Sequence, residues 1–128
     1  MKIAVLVVRS LLGAFFIFFG LNAFFGWMKP PPVPGEGGEF LGVLFKTGYL
    51  KFVKVLEVIG GVLLISGQFV PLGLVILAPI IVNIMAFHIM FDMAGLGGGA
   101  IATLLELFLI WAYRDHFRLL LQRNADIA

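Results

Sequence analysis

The chain reads as an all-α membrane protein: four transmembrane helices in an up-down antiparallel bundle, with a short interfacial helix in the first loop. Three observations carry that reading. Of its 128 residues, 62% are hydrophobic and only 12% charged, against roughly 45–50% apolar residues in a soluble domain. The apolar residues fall into four long runs separated by Pro- and Gly-rich breaks, and a spanning helix needs about 20 of them. Each run also carries a lone polar or ionisable residue, which a membrane tolerates mainly where function or pairing holds it.

The first span is expected over 3–28, with Arg9 and Asn22 inside it and Trp27 and Lys29 marking its far interface. Lys2 followed by an apolar run resembles a signal peptide. The run at 11–28 is too long for one, however, and no small-residue cleavage site follows, so the segment is expected to stay as a span. Pro30, Pro31, Pro32 and Pro34 forbid helix continuation and favour an extended turn. Residues 39–50 are apolar but too short to cross. Phe40, Leu41, Leu44 and Phe45 recur there at helical spacing, and the segment is either a surface helix over the bundle mouth or a plain apolar loop.

The second span is expected over 51–68 and the third over 72–91, joined by a minimal turn. Pro79 in the third removes a backbone bond and can kink the helix. Residues 92–98 read as a glycine-rich turn, and the fourth span covers 99–113, continuing into an interfacial helix. The whole chain, 1–128, is then one domain.

Four spans put both termini on one side, with Lys2, Arg9, Arg114, Arg118 and Arg123. The other side holds Lys29, Lys46, Lys51 and Lys54. The bias is slight and places the termini in the cytoplasm. The nine Lys and Arg form no stripe that could track a phosphate backbone, so nucleic acid is not an expected partner. With no cysteine, disulfides and thiol exchange are excluded.

Helical rise gives the depth of the polar residues. On the expected ends, Asn22 and Glu57 lie ~9 Å from the loop-1 interface, Glu106 ~10 Å, His88 ~5 Å and Asn83 ~12 Å. All five therefore fall in the same half of the bilayer and form the candidate ligand-binding set. Lys54, three residues before Glu57, can pair with it. Glu106 has no basic neighbour in its own segment, and His88 is its nearest ionisable candidate.

Several readings fit this set. The residues could hydrogen-bond one another and fix helix register, or grip the oxygen atoms of a small lipophilic or quinone-like ligand. A metal site has the right ligand types but no spaced motif, so no metal is expected. A transporter would need a second polar cluster on the terminal side, where only Arg9 stands; Arg9 can snorkel to the headgroups. A haem between two histidines is disfavoured, because His116 sits at the opposite interface from His88.

The run RSLLGAFFIFFGLNAFFG with PPPVP, then LEVIGGVLLISGQFVPLGLVILAPIIVNIMAFHIMFD, then LELFLIWAYRDHFR, resembles the DoxX family of small bacterial four-helix membrane proteins. Its specific parts are Arg9, Gly13 and Gly20-Leu21-Asn22, then Glu57, Gly60-Gly61 and Gly67, then Asn83, His88 and Asp92. The resemblance implies an inner-membrane location. It also implies association with redox machinery, since relatives include a thiosulfate:quinone oxidoreductase. Redox-complex subunits and further copies of the chain are candidate partners beside the lipid bilayer, and any enzymatic role would be as a subunit. Relatives often carry Lys where this chain has Ala23, so a pairing through that Lys is absent here.

Overall fold

A computed structural model describes all of residues 1–128. It is helical throughout, with no strand: α1 (Lys2–Phe25), α2 (Gly35–Thr47), α3 (Tyr49–Ser66), α4 (Val70–Phe91) and α5 (Leu96–Ala112). Short 3₁₀ turns follow at Met93–Gly95, Arg114–His116 and Arg118–Leu121. Three helical stretches are long and apolar enough to cross a membrane: Lys2–Phe25, Val70–Phe91 and Met93–Ala112. This makes the chain a membrane protein. The fourth expected span, α3, is 18 residues long and carries Lys51, Lys54 and Glu57, which set it apart from the other three.

Each long helix turns a narrow stripe inward. On α1 the buried stripe is Leu12, Gly13, Phe16 and Gly20; on α3 it is Glu57, Gly60, Gly61 and Leu64. The spacing of three and four residues is that of one helical face. The opposite faces expose Leu6, Phe18, Val62, Val75, Ile101 and Leu104, among others. A continuous apolar exterior of this kind is a liability in water and the normal lining in lipid.

Glycines let α1 and α3 touch backbone to backbone. A Cβ on Gly61 would lie 2.7 Å from the Gly13 carbonyl oxygen, and one on Gly13 would lie 2.8 Å from that of Gly61. Farther along, a Cβ on Gly20 would lie 3.1 Å from the Lys54 carbonyl oxygen. Numbers rise along α1 as they fall along α3, so the two helices are antiparallel. Gly60 and Gly73 repeat the device between α3 and α4, where a Cβ on Gly73 would lie 3.2 Å from the Gly60 carbonyl oxygen. Helix α5 packs on α4 and returns to α1, so the four long helices close a ring.

The connections differ in detail from the sequence expectation. Helix α1 stops at Phe25, because Gly26 turns left-handed and its N–H bonds to the Asn22 carbonyl. The short helix begins at Gly35 rather than 39 and ends at Gly48, whose φ of 83° a side chain would resist. It packs on α3 and α4, with Phe40 stacked on Phe87 and Phe91. The residues 96–98 read as turn are helical. Beyond Tyr113 the chain breaks into 3₁₀ turns instead of a continuous helix.

Gly61→Ala is expected to cost about 1–3 kcal/mol, because the new methyl meets a backbone oxygen that cannot move aside. Gly42→Ala, where the same atom meets nothing within 4 Å, should be neutral or stabilising by up to about 1 kcal/mol. Unfolding titrations in mixed micelles check the pair; equal effects would contradict the close α1–α3 approach.

Candidate functional site

Two carboxylates are buried in the interior, Glu57 of α3 and Glu106 of α5, each only 3% exposed. They reach it because each sits on the inward stripe of its helix, Glu106 in line with Gly99, Ala102 and Leu109. Their surroundings differ. Glu57 is held by Lys54 one turn earlier: Nζ stands 3.1 Å from Oε2 and donates to Oε1 at 3.3 Å. Glu106 has no such partner, and both its oxygens are buried without a hydrogen bond.

The observed helix ends move Glu106. It stands ten residues after Leu96 and six before Ala112, which is ~15 Å and ~9 Å along the axis. It therefore lies nearer the terminal end than the loop-1 end. The expected common depth fails here because α5 starts three residues earlier than expected; Leu96, Gly97 and Gly98 continue the helix in place of a turn. Glu57, eight residues from Tyr49 and nine from Ser66, is near mid-helix.

The other three candidates are engaged locally. The Asn22 amide donates to the Met28 carbonyl at 2.9 Å, and the Met28 N–H donates to Asn22 Oδ1 at 2.7 Å. Its side chain thus ties down the chain leaving α1. Asn83 is exposed on the outer face and donates to the Pro79 carbonyl one turn back, at 2.8 Å. His88 Nδ1 lies 3.1 Å from the Asp92 carbonyl oxygen and 3.6 Å from its carboxylate, in the turn that follows α4. Asp92, not Glu106, is its ionisable partner. The i, i+4 spacing of His88 and Asp92 was the available signal, obscured by reading Asp92 only as loop.

No three His, Asp or Glu side chains converge as metal ligands would. Of the surface grooves, one lies between the start of α1 and the end of α5, and another, apolar, runs along Ile81, Met85, Ile89 and Thr103. Neither is lined by any of the five candidates. What the interior offers chemically is one carboxyl group balanced by a lysine and another that is free to exchange a hydrogen bond. Tyr113, which the spacing of polar residues did not single out, accepts a hydrogen bond from Arg9 across α1 and α5 at 3.3 Å.

No protein-family model, no curated protein and no solved structure matches this chain.

Lys54→Met leaves Glu57 buried without its cation and is expected to cost about 3 kcal/mol. The double variant Lys54→Met, Glu57→Leu should recover most of that loss. A double-mutant cycle on unfolding free energy measures the coupling, and additive losses would contradict the pairing.

Proposed function

We propose that this chain is a four-span, DoxX-type protein of the bacterial inner membrane. In this reading its interior near Glu106 holds the polar end of a small lipophilic, quinone-like ligand, and the protein serves a membrane redox assembly as an accessory subunit. One observation supports the ligand above all: both Glu106 oxygens are buried without a partner. Leaving a buried polar group unpaired costs about 1–3 kcal/mol, and more if it is charged. A ligand hydroxyl or amide would remove that cost.

The fourth span is α3. Its 18 residues reach ~27 Å, close to the hydrocarbon thickness of about 30 Å. Lys51 is exposed in its first turns and can extend to the headgroups, while Lys54 and Glu57 offset each other. Helix α2 lies in the outer interface, with Phe40 against the bundle and Glu36, Glu39 and Lys46 exposed. The slight excess of Lys and Arg on the terminal side favours cytoplasmic termini. Of the seams in the ring, α1–α5 is the least extensive, which makes it the natural entry from the lipid to Glu106.

A second reading, a structural subunit without ligand, is favoured by the absence of either carboxylate from the two grooves described above. Native mass spectrometry and absorbance on protein purified with native lipid separate the two. The ligand reading expects a co-purifying quinone-like compound that carries a hydroxyl or amide donor. Its retention should fall at least about tenfold in Glu106→Leu, the worth of one hydrogen bond to a charged group. Should wild type bring down no such compound while Glu106→Leu is folded and more stable, the structural reading stands.

A further inference from the structure

We propose that the groove between the start of α1 and the end of α5 binds the phosphate group of an anionic phospholipid, with Arg9 as its principal ligand and Lys2 at its mouth. The groove has a volume of about 410 Å³. Its lining has two characters: the cations Arg9 and Lys2 with the Tyr113 ring, and the apolar side chains of Val5, Leu6 and Ala112. Along α1 the order is Lys2, Val5, Leu6, Arg9, so the two cations bracket the apolar side chains.

Arg9 is a fixed cation without an anion. Its guanidinium has five N–H donors. One is accepted by the Tyr113 hydroxyl at 3.3 Å, Nε is sealed from solvent with no acceptor, and no carboxylate forms an ion pair with it. The nearest acid in sequence to this end of α5, Asp115, is engaged by Arg118 at 3.1 Å.

The guanidinium is held in place rather than free to wander. Gly67, which ends α3 with φ 74°, packs against it: a Cβ there would lie 3.1 Å from Nη2. The C-terminal ends of α3 and α5 both approach the group, and each contributes roughly half a negative charge. Those dipoles stabilise its position without supplying an oxygen to bond it. A planar fork of donors held in this way suits a phosphate, which it can grip through two oxygens at once.

The source of that phosphate follows from location. Helices α1 and α5 are both long and apolar enough to span, and the groove opens where the first begins and the second ends. Phospholipid headgroups lie at that level. Two cationic side chains with no acidic one among the lining residues select lipids whose phosphate carries net negative charge over zwitterionic ones. This inference does not use Glu57 or Glu106 and stands or falls separately from the ligand proposed there.

The test is lipid binding by native mass spectrometry, with the intact chain exchanged between phosphatidylglycerol and phosphatidylcholine. Wild type is expected to prefer phosphatidylglycerol. Lys2→Gln alters an exposed side chain and should weaken that binding about fivefold, the contribution of one cation near the membrane surface. Arg9→Gln should abolish the preference. Excess inorganic phosphate should leave the lipid bound. Equal binding of the two lipids by wild type, or an unchanged preference in Lys2→Gln, would overturn the proposal even if Arg9→Gln failed to fold. Displacement of phosphatidylglycerol by inorganic phosphate would also overturn it, by assigning the site to a free anion.

Discussion

The close approach of α1 and α3 is the contact on which the rest of the structure depends. At Gly13 and Gly61 the two backbones meet with no side chain between them. In lipid the apolar effect does not drive helices together, so association rests on dispersion at short range and on the fit of small residues. The antiparallel register that this contact sets carries Glu57 to the interior. It also brings the end of α3 to the guanidinium of Arg9. Helices α4 and α5 then complete the ring, through Gly73 on one side and Gly99 on the other.

Within this frame the polar side chains divide by whether their own helix can satisfy them. Asn22, Asn83, Thr103 and His88 all find partners within six residues. Lys54 and Glu57 do so within one turn. Local partners suffice because a helix brings i, i+3 and i+4 together whatever packs around it. Arg9 and Glu106 are the exceptions. Arg9 reaches another helix for its one bond, and Glu106 finds none.

Most of the element order was legible in the sequence. Apolar runs, the proline segment and the glycine breaks mark where helices begin and end, because backbone hydrogen bonds in hydrocarbon must close within each helix. The ends themselves were less legible. Gly97 and Gly98 are helical here although glycine favours turns in water, and this shift alone moved Glu106 off the depth it was expected to share with the others. Of the five candidate residues, Glu57 and Glu106 are each buried in the interior. Asn83 is on the outer surface, and Asn22 and His88 serve the chain's own turns. Depth along a helix is readable from residue number, but the face presented is not fixed by depth.

By itself, then, the sequence determined a helical membrane protein and the rarity of its embedded charges. Those follow from composition and from the local periodicity of backbone bonding. Only the tertiary structure decided which charges are partnered. Partnership depends on the rotation of each helix about its axis, and that rotation is set by where glycines allow two backbones to touch. It left Glu106 without a hydrogen bond and Arg9 without an anion, between helices that lie far apart in the chain.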